Sequence, residues 1–358
     1  MPSIPPGGSS RDAGGLARAA VPRLQVSTAR INEAKVCFVR KMTTGNTSEV
    51  FEGTFEGHPA VIKRMRADVA RSLDPDSMRN FEIEVGKMMA INHPCTVRCF
   101  GILEPTPGIV LELVPGGSLA DIIGAAPGET FPQYQQRLPW PVRVRYLLDS
   151  LYGIRSVHST GLIHGDFKTQ HLLVGRDHRV KLSTFCLSSA RGPEPGELPG
   201  TPAYMAPEIM RGLPQTMRVD VYSFGVVMWE LLTGEAPFRG LDVVQVIQQV
   251  RAPANDTVFP PPGRPQILSS HELTAPHGFI PLVHKAWAQD PNIRPSVEQL
   301  VAALEAIQQS HGFHPFRQQG QGPMQYEVPM NVPPRSAPLT TTSVPVGMRP
   351  MEGGPPIR

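Results

Sequence analysis

The stretch HGDFKTQHLLVGRDHRVKLSTFC, from His164 to Cys186, brings several chemically capable side chains into one short run. Asp166 offers a carboxylate that can accept a proton, and Lys168 places an ammonium two residues on. His171 and Thr184 flank a hairpin pattern, HLLV, GRDHR and VKL, which draws the two together. An imidazole nitrogen there suits softer metals, and a neutral hydroxyl brings no charge to a cation. Upstream, Lys63 lies in the strand pattern AVIK. Glu84 falls three residues after Phe81 and four before Met88, on the apolar face of a helix. A carboxylate there is costly unless paired. Gly45 stands in TTGNTSEV, which by itself is a hairpin turn between strands.

Two textures position these residues. From Val36 to Leu113 the chain reads as short β runs: VCFVRKM, EVFEGTF, PAVIKRM, TVRCFGIL and GIVLEL. One helix interrupts them, DPDSMRNFEIEVGKMMAI, with Asp74 as its cap and Pro75 in its first turn. From about residue 140 the pattern is helical. Leu147, Leu148, Leu151, Ile154 and Val157 share one face, and DVYSFGVVMWELLTG is apolar enough to be a buried core helix. PSVEQLVAALEAIQQ opens with Ser296 and Gln299, a capping-box pattern. GAAPGETFPQYQQRLPW, residues 124–140, reads as a loop. The expected fold is α+β: a small β-rich lobe with one helix over 31–114, then a larger helical lobe over 115–312. Residues 1–30 and 313–358 are rich in Pro, Gly and Ser and read as disordered segments, the second a Pro-rich tail.

Composition bounds the function. The 358 residues carry 40% hydrophobic side chains, enough for a sizeable core, and a net charge of +3, too mild to argue for nucleic acid or a membrane surface. Four cysteines without CxxC spacing read as reduced thiols in a cytoplasmic protein. The most apolar run, VYSFGVVMWELL, is too short to span a bilayer.

Motif order and spacing from about 36 to 310 resemble a eukaryotic protein kinase domain. GTPAYMAPE, DVYSFGVVMWELLTGEAPF and the late RP most resemble the Ser/Thr enzymes of the tyrosine kinase-like group. The resemblance implies roles. Gly45 is the one survivor of three phosphate-loop glycines, with Val50 after it. Lys63 would contact the nucleotide phosphates and pair with Glu84. Val61 stands where the family has Ala against adenine, narrowing the slot. Leu111 would be the gatekeeper, the backbones of Glu112 and Val114 would meet adenine, and Leu173 would lie below it. Asp166 matches the catalytic base and Lys168 the lysine near the γ-phosphate. His171 and Thr184 occupy the two metal-ligand positions, and Cys186 replaces a glycine. Gly165 replaces the Arg that pairs with a phosphorylated activation loop. Thr201 would bond Asp166 and Lys168, Asp220 would hold the catalytic loop, and Glu208 would pair with Arg294. The supporting residues persist while the losses gather at metal and phosphates. The favoured expectation is therefore a pseudokinase, a scaffold or allosteric regulator in signalling with weak or Mg²⁺-independent ATP binding at most. An active Ser/Thr kinase with atypical metal handling is the alternative.

Overall fold

The computed structural model describes residues 29–45, 47–124, 128–183, 200–252 and 263–313. The two segments read as disordered lie outside the described residues, apart from Ala29, Arg30 and Phe313, and so do Thr184, Phe185 and Cys186. Six strands form one sheet: β1 (Arg30–Asn32), β2 (Val36–Thr44), β3 (Ser48–Phe55), β4 (His58–Met65), β5 (Cys99–Glu104) and β6 (Gly108–Glu112), in the order β1-β5-β6-β4-β3-β2. Strands β2 to β4 are an antiparallel meander, and β1 joins β5 in parallel. Helices α1 (Ala67–Ser72) and α2 (Pro75–Ala90) connect β4 to β5. Asp74 caps α2 as its sequence predicts, with its carboxylate accepting from the Asp76 and Ser77 amides at 2.9 Å. Phe81, Val85 and Met88 of α2 pack on Val97, Cys99, Ile102 and Leu111. The opposite sheet face buries Ile31, Val36, Ala60, Ile62, Leu103 and Val110.

The helical lobe follows. It comprises α3 (Leu119–Ile123), α4 (Phe131–Arg137), α5 (Trp140–Ser159), the hairpin β7 (Leu172–Val174) and β8 (Val180–Leu182), then α6 (Pro207–Met210), α7 (Arg218–Thr233), α8 (Val243–Arg251), α9 (Ser269–Glu272), α10 (Phe279–Ala286) and α11 (Val297–Ser310). Val219 through Thr233 are all buried, so α7 is the axis of the lobe. Ser296 and Gln299 form the expected capping box at the head of α11. Residues 124–140 are not all loop: α4 interrupts them. Pro132 sits in its first turn, where the missing amide costs nothing, and the Gln133 side chain accepts from the Thr130 amide at 2.8 Å. The prolines that suggest a loop there in fact bracket a short helix. The sheet also starts earlier than expected, at Arg30, through the three-residue β1.

Candidate active site

The hairpin β7–β8 fixes the site from below. Asp149 of α5 is buried, and its carboxylate takes Arg179 through Nη2 at 2.6 Å and Nε at 2.8 Å, and the Val180 amide at 3.0 Å. The hairpin thereby hangs on α5. Asp220, in the first turn of the core helix, accepts the His164 and Gly165 amides, each at 2.9 Å, and the His158 ring at 2.8 Å. Gly165 adopts φ +75°, a conformation that side chains resist. The catalytic-loop backbone is thus clamped by a buried carboxylate before any ligand arrives.

On this frame sit the candidate reactive groups. Asp166 Oδ2 lies 2.7 Å from Lys168 Nζ, and its Oδ1 accepts the Thr201 amide at 3.1 Å. Lys168 Nζ also donates to Thr201 Oγ1 at 2.6 Å. His171 Nδ1 lies 2.8 Å from the Asp166 carbonyl, which can only accept, so this nitrogen carries the proton. The lone pair that remains is on Nε2. Burial holds His171 well below the usual imidazole range, helped by the positive charges of Lys168 and Lys63 and opposed by Asp166. Burial pushes Asp166 upward, yet the Lys168 ammonium and the Thr201 hydrogen bond keep the carboxyl below its ordinary range. The pair therefore rests as a neutral imidazole beside an ionised carboxylate. His164 beneath them is buried, its ring against Ser183 O at 3.2 Å, and burial keeps it neutral.

The expected neighbour of His171, Thr184, lies outside the described residues. The residue before it, Ser183, donates its amide to His171 O at 2.7 Å, so the hairpin ends as its pattern predicts.

Above the hairpin the nucleotide-facing positions assemble in part. Lys63 stands opposite Val50 across β3–β4, and Val61 opposite Leu111 across β4–β6. Val61 and Leu173 both pack against the α2–sheet core. Gly45 donates its amide to Ser48 O at 2.8 Å, closing a tight hairpin over which β2 extends to Thr44. The Glu112 carboxylate is engaged at both oxygens, by Lys181 Nζ at 2.6 Å and the Arg98 amide at 3.2 Å, while Val114 is buried. One expectation fails. No ion pair joins Glu84 to Lys63 among the described residues. Glu84 is half-buried, burial raises its pKa, and the charge that offsets this is Lys87 on its own helix. Lys63 instead acts on the His171 ring. Helical periodicity gives Glu84 its direction around α2, and the side chain is half-buried, but it carries no information on how far α2 stands from β4.

Behind the site, Glu208 and Arg294 form a bidentate pair at 2.6 and 2.8 Å, with both side chains buried. Burial also pushes the Cys95 thiol up to about 11 and the Cys99 thiol up to about 12, which leaves both inert near neutrality. A buried carboxylate unmarked in the motif reading is Glu230 of α7, whose Oε1 accepts from Thr169 at 3.2 Å in the catalytic loop. Its signal in the sequence is an acid ten residues beyond Asp220, deep in an otherwise apolar stretch of the same helix.

The protein kinase domain model matches residues 37–304, and those residues contain both lobes and the whole of this site. The chain belongs to the protein kinase family. It is 31% identical over 286 residues to the probable serine/threonine-protein kinase drkC of Dictyostelium discoideum, covering 77% of this chain and 35% of that protein. It is 28% identical over 273 residues to drkA of the same organism, also a probable serine/threonine-protein kinase, covering 74% of this chain and 39% of that one. The chain thus spans little more than a third of the length of these kinase relatives. A kinase domain implies ATP as the general ligand. Among the described residues no group of three or more His, Cys, Asp and Glu converges on one point. His171, at one expected ligand position, offers only Nε2. No helix among the described residues is long and apolar enough to cross a membrane.

Proposed function

We propose that the chain is a pseudokinase of the tyrosine kinase-like group, a cytoplasmic scaffold or allosteric partner of signalling proteins that binds ATP weakly and without Mg²⁺. The observation that carries this reading is the His171 side chain. Its Nδ1–H is committed to the Asp166 carbonyl, and Nε2 offers no anionic or amide oxygen to a hard cation. Phosphoryl transfer rests on positioning and on neutralising charge at the phosphates, so a site without an oxygen ligand there loses its main source of rate. Lys63, Gly45, Val50, Val61, Leu173 and the backbones of Glu112 and Val114 would hold the nucleotide. Residues 31–312 would form the domain. The second reading, an active Ser/Thr kinase, is favoured by the Asp166–Lys168–Thr201 network, which keeps an ionised proton acceptor in place.

The two readings separate on the purified full chain. ATP should raise the melting temperature equally with and without Mg²⁺, and phosphate transfer should not exceed that of Lys63→Met. Transfer above that variant would establish the active-kinase reading instead. A gain-of-function variant tests the cause. In His171→Asn with Thr184→Asp, the amide NH₂ can keep the bond to the Asp166 carbonyl while its oxygen faces outward beside a new carboxylate. At a hundredfold excess of MgATP over Kd, binding contributes about 2.7 kcal/mol, so an Mg²⁺-dependent rise of about 5 °C is expected. No rise would place the defect at the Gly45 turn or at Val61.

A further inference from the structure

The ring of His171 limits what the site can hold where a nucleotide carries its phosphates. Its Nδ1–H is turned inward onto the Asp166 carbonyl at 2.8 Å, so the edge that bears Nε2 faces away from the loop. Of the His171 side chain 26% is exposed, which leaves that edge open to a ligand. Nε2 carries a lone pair and no proton, so it accepts a hydrogen bond and donates none. Asp166 and Lys168 are already engaged. Asp166 Oδ2 meets Lys168 Nζ at 2.7 Å, its Oδ1 accepts the Thr201 amide at 3.1 Å, and Lys168 Nζ also donates to Thr201 Oγ1 at 2.6 Å.

Two features turn this arrangement against a bare polyphosphate. The first is charge. Burial keeps the ring neutral, and the charged groups that act on it are Asp166, Lys168 and Lys63. Asp166 and Lys168 cancel, so the ring lies in the field of one net positive charge among the described residues. A triphosphate without a metal brings several negative charges there, and its oxygens would face Nε2 as acceptor against acceptor. The second is the loop above. The Gly45 amide is spent on Ser48 O at 2.8 Å, and Thr44 pairs with Glu49 in the β2–β3 ladder. That backbone is closed on itself and does not offer the Gly45 donor to a phosphate. A hydroxyl in the same place meets neither obstacle. It donates to Nε2 and brings no charge. In a nucleoside, the 5′-oxygen that would bear the phosphates is such a hydroxyl.

We propose that the site takes a nucleoside in preference to its triphosphate, and that His171 sets the choice, with Nε2 accepting a hydrogen bond from the 5′-hydroxyl of adenosine. This rests on the reading that the Lys63, Val61 and Leu173 side chains and the backbones of Glu112 and Val114 hold an adenine nucleotide. Weak ATP binding then has a local cause: the adenosine part is accepted and the phosphates are not.

Calorimetry on the full chain, without divalent metal and near neutral pH, compares adenosine, 5′-deoxyadenosine and ATP. Adenosine should bind at least about tenfold more tightly than ATP, the equivalent of one hydrogen bond gained against one charged contact refused. 5′-Deoxyadenosine lacks the donor and should bind about fivefold more weakly than adenosine. His171→Lys puts an ammonium where the acceptor stood and should reverse the order of adenosine and ATP. His171→Asn can keep its NH₂ on the Asp166 carbonyl with its oxygen outward, and should preserve that order. The proposal is overturned if ATP binds the unaltered protein as tightly as adenosine, if adenosine and 5′-deoxyadenosine bind equally, or if a folded His171→Lys variant keeps the original order. The three ligands on the unaltered protein decide the matter even where the lysine variant does not fold. Binding of ATP alone would sink this preference and leave the nucleotide reading standing, whereas binding of neither adenosine nor ATP would sink both.

Discussion

Replacing Arg294 by methionine should lower the unfolding free energy by about 3–5 kcal/mol, the cost of leaving one side of a buried ion pair without its partner. The guanidinium has no exposed surface. Nε donates to Ala288 O at 2.8 Å, Nη1 to Glu208 Oε1 at 2.6 Å and Arg218 O at 3.0 Å, and Nη2 to Glu208 Oε2 at 2.8 Å. Its face lies 5.1 Å from the centre of the Tyr222 ring. Methionine fills similar space but strands the Glu208 carboxylate and the carbonyls of Ala288, Arg218 and Gln289 in the lobe's interior. Pairing Arg294→Met with Glu208→Leu removes the stranded charge, so the double variant should recover part of the loss. Urea unfolding of both variants measures the difference. Equal midpoints for single and double variants would show that the penalty comes from the carbonyls and packing rather than from the orphaned carboxylate. The pair matters to the site because Glu208 opens α6, the first helix after the Thr201 segment that holds Asp166 and Lys168. Loss of the pair should therefore disturb the catalytic loop as well as stability.

What could be foreseen from the sequence follows the range of the forces involved. The meander β2–β4, the cap of α2 and the capping box of α11 depend on neighbours a few residues away, and their letters specify them. α7 is legible because most of its fifteen consecutive buried positions are apolar. The three residues of β1 show no period of their own; only Leu103 and Glu82, far along the chain, give them a partner. α4 was hidden by Pro132, whose first-turn position is harmless but whose letter suggests a break. The Lys63–Glu84 expectation shows the limit most clearly. Periodicity gives a side chain's direction around its helix, and an ion pair also needs the helix to stand within about 4 Å, which packing decides. The substitution of His for an oxygen ligand at position 171 was visible as a letter. Its consequence, a ring held in one tautomer by the Asp166 carbonyl, needed the folded loop.

Glu230→Gln should stabilise the protein at pH 8 by about 3 kcal/mol and leave it nearly unchanged at pH 4.5. Glu230 is buried in the core helix, and burial pushes its carboxyl up to about 8, only partly offset by Tyr204 and Thr169. Oε1 accepts from Thr169 at 3.2 Å, and Oε2 has no hydrogen-bond partner. Unfolded, the same group ionises near the ordinary glutamate value of about 4.3. Between those two values the native state holds a proton that the unfolded chain has released, so stability falls as pH rises across the interval. Each unit is worth about 1.4 kcal/mol, and the window spans more than three units; the figure of about 3 kcal/mol allows for local relaxation around the charge. The neutral amide has no proton to lose, so the pH-dependent gap between variant and unaltered protein isolates this one group. Parallel stability curves from pH 4.5 to 8.5 would show that Glu230 is already ionised in the fold. The location gives the effect a reach beyond stability. Thr169 lies one residue after Lys168, and its hydroxyl also meets Tyr204 at 3.3 Å, so ionising Glu230 places an uncompensated charge directly beneath the loop that carries Asp166. A carboxyl retained there, in an otherwise apolar helix, loosens that loop under alkaline conditions and holds it firm under acid ones.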